Sequence, residues 1–341
     1  MKVSDFQYDL PQSAIAQSPV EPRHRARLLD TRDSSDHRFI ELPDLLRSGD
    51  LVVVNETRVR AARIVGQRRE TGGRVELLLL ERRPDGSFNA LARPARRLRP
   101  GVEMEFDGFS ATVTAGPENG LVNVELDAPD PEAAIDRAGT VPLPPYFTGQ
   151  LDDPERYQTM FATIPGSAAA PTAGLHFTEE VIRRLSEADI DLAYVDLHVS
   201  LDTFRPMTSE DVEDHQIHSE WCAIPPATAE AVERTRERLG RVVAIGTTVV
   251  RTLESMADGS GGVDAGETRT DLFLKPGVEF TVVDLLLTNF HLPGSTLIVL
   301  LAAFMGEGWR DAYDVALERE YRFLSFGDAM LAEKAPPRSD S

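Results

Sequence analysis

Five of the seven histidines lie between residues 176 and 291, each beside a turn or strand end that the sequence predicts. They are His176, His198, His215, His218 and His291. Imidazole exchanges protons near neutral pH and is a common metal ligand, so a polar substrate site, a metal site or structural hydrogen bonding would each use it. Two imidazoles and the carboxylate of Glu220 fall within six residues, but the HExxH pattern of a helical zinc site is absent. This spacing favours a polar substrate site.

The most distinctive turn of the chain reads APTAGLHFT over residues 170–178. Its proline and glycine do not fit inside a helix or a central strand, so the stretch predicts a turn with a fixed path. Thr178 predicts the N-cap of a following helix whose first turn is acidic. His176 is therefore expected just ahead of a helix N-terminus, where unpaired backbone N–H groups favour an anionic ligand.

A second turn, GTT at 246–248, joins a predicted buried strand to a predicted helix. Backbone N–H groups and the hydroxyls of Thr247 and Thr248 converge there, which favours either an anion or cofactor cradle or a simple capped helix. The turn lacks the glycines and lysine of a Walker loop and the GxGxxG pattern of a dinucleotide site. Arg251, one turn into the helix, could clamp a carboxylate.

A third turn reads TNFHLPGST over residues 288–296 and again joins a predicted strand to a capped helix. Asn289, His291 and Ser295 are its polar candidates for a site. Asp284 lies within the preceding apolar strand and would need a partner if buried, so a functional and a structural carboxylate are both open there.

Strands and helices alternate in the second half of the chain, and the run LVVV at 51–54 predicts a strand buried on both faces. Between residues 61 and 145, short strands separated by glycine and asparagine turns are typical of a small antiparallel barrel or sandwich. We therefore predict an α/β domain with a mixed sheet over 1–60 and 146–332, interrupted by an inserted antiparallel β-barrel over 61–145. Residues 333–341 are expected to form a flexible tail.

The composition is that of an ordinary globular protein, with 41% hydrophobic and 27% charged residues among 341. The sequence contains no apolar run long enough to cross a membrane and no N-terminal signal pattern. The single cysteine, Cys222, excludes an intrachain disulfide and a cage of thiolate metal ligands. We expect a cytoplasmic monomer without a metal or prosthetic group.

The charge is unevenly distributed. The whole chain carries a net charge of −20 and should repel nucleic acid. Residues 58–99, however, contain 12 arginines and four acids, a local net charge of +8. This segment is either a face that contacts phosphates or a solvated β-surface.

Taken together, the motifs resemble those of the S-adenosylmethionine:tRNA ribosyltransferase-isomerases of the queuosine pathway, in order over residues 3–331. The matching stretches are YDLP (8–11), NETRV (55–59), YQT (157–159), AAPTAGLHF (169–177), TFRP (203–206), DH (214–215), HSE (218–220), GTT (246–248) with Arg251, TNFHLP (288–293), YRF (321–323) and GDAM (327–330).

The resemblance implies a reaction in which S-adenosylmethionine, as co-substrate, donates its ribosyl part to 7-aminomethyl-7-deazaguanine in the anticodon of tRNA. The products are epoxyqueuosine in the tRNA, adenine and methionine. The mechanism proposed for the family begins with loss of a proton from the 5′ carbon, and adenine then leaves. Such chemistry needs a base, a proton donor and a clamp for the methionine carboxylate, and histidine suits the first two roles.

The resemblance also implies roles for residues. The expected catalytic residues are His176, His198, His215, His218 and Glu220. The expected substrate-binding residues are Thr172, Arg205, Thr247, Thr248, Arg251, Asp284, Asn289, His291, Ser295 and Asp328. The expected contacts with tRNA phosphates are Arg58, Arg93, Arg96 and Arg97.

The chain departs from the family pattern at three positions. Ser200 and Asp202 replace two glycines, and added side chains there would crowd a ligand that approaches the backbone closely. Phe326 replaces a tyrosine and removes a hydroxyl. Three alternatives stay open: a paralogue with another acceptor, a metal-dependent hydrolase built on His215, His218 and Glu220, and a non-catalytic tRNA-binding protein.

Overall fold

The computed structural model of the chain describes residues 1–118, 120–149, 151, 153–200, 206–217 and 219–336. The strands are β1 (Arg27–Asp30), β2 (Ser35–Arg38), β3 (Leu51–Asn55), β4 (Thr57–Val59), β5 (Arg63–Arg68), β6 (Arg74–Arg82), β7 (Phe88–Arg93), β8 (Glu103–Phe106), β9 (Phe109–Glu118), β10 (Leu121–Asp127), β11 (Ile164–Ser167), β12 (Asp191–Leu197), β13 (Glu220–Ile224), β14 (Val242–Ile245), β15 (Gly266–Thr270), β16 (Leu285–Asn289) and β17 (Ala329–Glu333). The helices are α1 (Leu42–Leu45), α2 (Pro131–Ala138), α3 (Glu179–Glu187), α4 (Pro226–Glu237), α5 (Thr247–Ser255), α6 (Thr296–Met305) and α7 (Gly308–Glu318).

The chain forms two compact units. The larger comprises residues 1–58, 144–164 and 170–341, and the smaller comprises residues 59–143 and 165–169. Within the part of the chain that the structure describes, no helix is both long and apolar enough to cross a membrane.

The larger unit is built on a nine-stranded sheet in the order β15-β13-β12-β3-β14-β16-β17-β1-β2. Its central strands β12, β3, β14 and β16 are mutually parallel, whereas β17 runs antiparallel to β16. The smaller unit is a closed barrel in the order β10-β7-β6-β5-β8-β9, and every pair in it is antiparallel. This architecture confirms the predicted fold class.

Strand β3 shows why the larger unit has helices on both faces of its sheet. All five residues of β3 are buried. Leu51 and Val53 pack in a core with residues of α5, α6 and α7, whereas Val52 and Val54 pack in a second core with residues of α1 and α3. Because successive side chains of a strand point to opposite faces, one unbroken β-branched run supplies both cores.

Several elements differ from the sequence-based expectation. The elements that were not predicted are strands β1, β2, β4, β5, β11, β13, β15 and β17 and helices α1 and α2. The apolar strand predicted to contain Asp284 begins only at the next residue, Leu285. Ahead of it, the carboxylate of Glu254 accepts the backbone N–H groups of Thr281, Val282 and Val283. The tail expected from residue 333 overlaps the end of β17.

Two predicted N-caps take the expected positions but use their hydroxyls differently. Thr178 precedes α3, yet its hydroxyl is hydrogen bonded to Nδ1 of His24 at 2.8 Å. Ser295 precedes α6, and its hydroxyl donates to the carbonyl of Leu292 at 2.7 Å.

Candidate functional site

The predicted turns meet at one edge of the large sheet. Strands β14 and β16 are parallel neighbours, with Ile245 beside Leu287, so the turns that follow them leave the sheet at the same edge. In α/β proteins this carboxyl edge is the usual place for a ligand. The turn after β14 begins with Gly246, whose φ of 90° favours glycine and reverses the chain into α5.

A pocket opens between these turns, within the larger unit, with an empty volume of about 590 Å³ that includes open solvent. Six of the predicted substrate-binding residues line it: Thr172, Thr247, Thr248, Asn289, His291 and Ser295. The other lining residues are Tyr146, Ala170, Pro171, Ala173, Val199, Gly246, Thr288, Phe290, Leu292, Leu297, Leu324 and Ser325. None of these residues is an Asp, Glu, Lys or Arg, so the pocket offers hydroxyl, amide, imidazole and apolar groups.

Thr248 has an unused hydrogen-bonding group at the start of α5. Its hydroxyl is buried and has no hydrogen-bond partner, and the residue is 8% exposed. The first N–H groups of a helix also lack partners within the helix, and the helix dipole makes this end positive. The start of α5 can therefore donate several hydrogen bonds to a polar or anionic group in the pocket.

Asn289, at the end of β16, connects the pocket to His176. Its Oδ1 accepts a hydrogen bond from Thr172 at 3.0 Å, and its Nδ2 faces the carbonyl of Asp328 at 3.2 Å and Nε2 of His176 at 3.1 Å. Since a carbonyl can only accept, Nδ2 is the donor, and Nε2 of His176 must accept. The imidazole of His176 is thus neutral, with its proton on Nδ1.

Electrostatics agree with a neutral His176. Burial, with smaller contributions from the positive charges of Arg23 and Arg322, lowers its pKa to about 4. The ring lies behind Asn289 and packs against Phe39, with ring centroids 5.0 Å apart, and it does not line the pocket. The structure places this histidine in a supporting position relative to the pocket.

His291 does line the pocket, but the structure already occupies its polar atoms. Nε2 lies 3.0 Å from the hydroxyl of Thr288, and Nδ1 lies 3.5 Å from that of Tyr313. Its backbone N–H donates to Tyr313, and its carbonyl accepts from the hydroxyl of Tyr8. Burial lowers the pKa of His291 to about 3, so it too is neutral at physiological pH.

Arg251 and Glu220, expected to bind substrate and to act in catalysis, form a buried ion pair with each other. Arg251 also donates to the carbonyls of Thr270 and Leu272, and Glu220 accepts the backbone N–H of Ser200 at 2.7 Å. Neither lines the pocket. The pair joins α5 to β13.

Two further predicted carboxylates hold the fold together. Asp284 accepts from Arg236 at 2.6 Å and from the backbone N–H of Val242 at 2.8 Å. Asp328 accepts the backbone N–H groups of Arg27 and Arg322, both at 2.8 Å. Only the carbonyl of Asp328 reaches toward the pocket, through Asn289.

Neither of the other two predicted histidines that the structure describes, His198 and His215, is among the residues that line the pocket. His198 follows β12 directly, and the next residue, Val199, lines the pocket. His215 lies after a short 3₁₀ turn, with its ring 6.0 Å from that of Phe273. His218, Arg205 and Asp202 lie outside the described residues. Among the residues described, no cluster of three His, Cys, Asp or Glu side chains could hold a metal ion.

Sequence reasoning missed Tyr146 and Ser325, whose hydroxyls lie 2.5 Å apart in the pocket wall. Burial raises the pKa of Tyr146 to about 12, so its phenol is protonated at neutral pH. Tyr146 ends the proline-rich stretch VPLPPY (141–146), a composition that predicts only a stiff linker. The aromatic residue that ends this stretch was the available signal.

The predicted tRNA contacts fall into two groups. Arg58 forms an ion pair with Glu155. Arg93, Arg96 and Arg97 lie in the smaller unit, are exposed, and form no ion pair with any residue that the structure describes. Arg69 of the same unit, in contrast, pairs with Glu103 and Glu105.

Comparisons with known proteins agree along the whole chain. The sequence profile of the family described as "Queuosine biosynthesis protein" matches residues 3–332. A protein from Symbiobacterium thermophilum named S-adenosylmethionine:tRNA ribosyltransferase-isomerase is 46% identical over 97% of this chain and 99% of its own. One of the same name from Gloeobacter violaceus is 49% identical over 96% of this chain and 94% of its own. A crystal structure of an S-adenosylmethionine tRNA ribosyltransferase from Thermotoga maritima is similar, with a TM-score of 0.54 and 36% identity over 96% of this chain and 99% of that one.

Proposed function

This chain belongs to the queuosine biosynthesis protein family, and on that premise we propose that it is an S-adenosylmethionine:tRNA ribosyltransferase-isomerase. It transfers and isomerises the ribosyl part of S-adenosylmethionine onto 7-aminomethyl-7-deazaguanine in the anticodon of tRNA. The products are epoxyqueuosine in the tRNA, adenine and methionine. The observation that carries the proposal is the family match over residues 3–332, which takes in both compact units.

The chemistry of the pocket supports S-adenosylmethionine as its ligand. S-adenosylmethionine carries a positive sulfonium, and among the described residues no lysine or arginine lines the pocket to repel it. Hydroxyls of the lining suit the ribose and adenine edges, and the start of α5 suits the methionine carboxylate. We assign substrate binding to the residues that line the pocket and a structural role to Arg251, whose guanidinium pairs with Glu220.

The histidines then divide by their surroundings. His176 and His291 are neutral, and Nε2 of each is hydrogen bonded to a pocket residue, Asn289 and Thr288 respectively. Their proposed role is therefore to position Asn289 and the turn after β16. Proton transfer is left to histidines that are not fixed in this way. Of the predicted catalytic histidines, His198 and His215 are the described ones that remain.

The exposed arginines of the barrel support a face for tRNA phosphates. Arg93, Arg96 and Arg97 are exposed and form no close ion pair within the described chain, although Arg93 lies opposite Glu76 in the β6–β7 pair, in a protein whose net charge is −20. Replacing the three with glutamine should weaken tRNA binding and reduce the dependence of log K on log[salt] by about 2 to 3, because each phosphate contact contributes about 0.7 to 0.9. Arg69→Gln is the matched control, since Arg69 is engaged by Glu103 and Glu105. An unchanged salt dependence in the triple variant would remove this face from the proposal.

Adenine release from S-adenosylmethionine tests the function itself. The expected result is adenine only in the presence of tRNA that carries 7-aminomethyl-7-deazaguanine, with or without a chelator. Release with unmodified tRNA would instead indicate a paralogue with another acceptor, and loss of activity to the chelator would indicate metal-dependent chemistry.

The cytoplasm is the proposed compartment, since tRNA is there. A monomer is the proposed oligomeric state, which light scattering on the purified protein can test.

A further inference from the structure

Asp196 differs from every other buried acid that the structure describes. Four of these acids are hydrogen bonded: Asp30 to Arg32, Asp50 to Arg241, Glu220 to Arg251 and Asp328 to backbone N–H groups. Asp196 is 2% exposed, and neither of its carboxylate oxygens has a hydrogen-bond partner. A buried carboxylate without hydrogen bonds is costly, so its presence needs an explanation.

The imidazole of His198 lies beside the Asp196 carboxylate. Nε2 of His198 lies 3.5 Å from Oδ2 of Asp196 and is itself buried without a hydrogen-bond partner. Positions 196 and 198 face the same side of the sheet because side chains alternate along a strand. At this separation the two groups make no hydrogen bond, but they would form an ion pair once the imidazole gained a proton.

Trp221 holds the other side of the imidazole. The backbone N–H of His198 donates to the carbonyl of Trp221 on β13 at 3.0 Å, which places the two residues side by side. Their ring centroids are 4.6 Å apart, and the indole N–H donates to Glu267 on β15 at 3.2 Å. The imidazole thus lies between the Asp196 carboxylate, near Nε2, and the indole ring, and its side chain is 30% exposed.

We propose that Asp196 is a positioning residue that aims His198 and balances its charge when the imidazole takes up a proton from the substrate. This rests on the proposed function, in which a proton leaves the 5′ carbon of S-adenosylmethionine. The C–H bond breaks, its electron pair stays on the carbon beside the sulfonium, and the proton bonds to Nδ1 of His198. Nε2 keeps its own proton throughout and faces Asp196. The imidazolium then returns its proton to solvent or to the departing adenine.

Asp196→Asn preserves the shape of the side chain and removes its charge. We expect kcat for adenine release to fall at least about 10-fold, with little change in KM for S-adenosylmethionine. His198→Gln should also lower kcat, and the double variant should be no slower than His198→Gln alone, since Asp196 acts through that ring. S-adenosylmethionine deuterated at the 5′ carbon should show a larger isotope effect with Asp196→Asn, because proton removal becomes slower relative to the other steps.

Stability separates this role from a structural one. Because the Asp196 carboxylate makes no hydrogen bond, Asp196→Asn should leave the urea midpoint of unfolding unchanged or raise it. Asp50→Asn is the matched control: Asp50 is buried and bonded to Arg241, so this variant should lower the urea midpoint and leave kcat unchanged. An Asp196→Asn variant with the kcat of the wild type would refute the proposal. So would an Asp196→Asn variant that unfolds at a lower urea concentration and still slows the enzyme further when combined with His198→Gln.

One measurement does not depend on activity. In ¹⁵N-histidine NMR spectra, with His198→Gln identifying the resonance, Nε2 of His198 should carry the proton in the wild type, and its shift should change in Asp196→Asn. A proton on Nδ1 instead would overturn the proposal. A wild-type enzyme that releases no adenine would refute the proposed function, while the NMR spectra would still decide whether Asp196 holds the ring.

Discussion

The large unit should lose stability between pH 7 and pH 5 because His176 and His291 are buried in neutral form. Their pKa values are lowered to about 4 and about 3, chiefly by burial. In the unfolded chain a histidine has a pKa of about 6.5. Between these values the unfolded state binds a proton at each site and the folded state does not. Lowering the pH in this window therefore stabilises the unfolded state, and the free energy of unfolding falls.

The size of the effect follows from the two pKa values. With pKa values of about 6.5 unfolded and about 4 or 3 folded, each histidine should contribute a loss of about 2 kcal/mol between pH 7 and pH 5. The two together give about 4 kcal/mol, a large share of the roughly 5 to 15 kcal/mol that stabilises a typical domain. Above pH 7 the contribution of these two histidines to the free energy of unfolding should be fully present.

Urea unfolding followed by tryptophan fluorescence measures this loss. Both tryptophans, Trp221 and Trp309, lie in the larger unit, so the signal reports that unit alone. His291→Gln should reduce the difference between pH 7 and pH 5 to about 2 kcal/mol, since one titrating site is gone. His37→Gln, at a half-buried position of strand β2 in the same unit, is the control for replacing a histidine as such. Equal free energies of unfolding at the two pH values in the wild type would refute the reasoning.

Two further predictions concern the groups around the pocket. Glu220→Gln leaves the charge of Arg251 buried without its counter-ion and should lower the free energy of unfolding by about 3 to 5 kcal/mol, measured by urea unfolding; a loss under about 1 kcal/mol would contradict the pairing. Thr248→Val removes a hydroxyl that has no partner in the free protein, so stability should change by less than about 0.5 kcal/mol. Its Kd for S-adenosylmethionine, measured by calorimetry, should rise about 3- to 10-fold for one lost hydrogen bond, and an unchanged Kd would remove Thr248 from the substrate site.

The local signals in the sequence were sufficient for the framework of the pocket. A β-branched run predicted β3, and glycine, threonine and proline at fixed positions predicted the turns after β14 and β16. These signals act over a few residues, so they do not depend on the rest of the fold. They explain why six predicted substrate-binding residues lie together in the pocket.

The missed strands depend on contacts that are distant in sequence. β17 reads AMLAE, a composition that favours helix, and it becomes a strand because it pairs with β16 on one side and β1 on the other. β15 reads GETRT and lies at the edge of the sheet, where exposed charged residues are typical of strands that avoid further pairing. Its polar sequence favoured a loop.

The charged residues were the least predictable part of the site. Arg251 and Glu220 are 31 residues apart, and nothing in either local sequence indicates that they neutralise each other. Asp284 and Asp328 likewise bind groups brought to them by the sheet. Residue type predicts that a buried charge needs a partner, but only the fold decides whether that partner is a substrate or another side chain.

This internal pairing has a consequence for how the enzyme would treat its two substrates. Where the structure describes the chain, the pocket presents neutral groups, and the charges of Arg251 and Glu220 are satisfied by each other. A compact ligand bound there by hydrogen bonds and apolar contact loses little affinity as salt rises, since short contacts out of solvent are poorly screened. The exposed arginines of the barrel would meet tRNA phosphates in solvent, where counter-ion release makes binding steeply dependent on salt. Salt should therefore raise KM for tRNA strongly and KM for S-adenosylmethionine little, which separates the pocket from the barrel face as the sites of the two substrates.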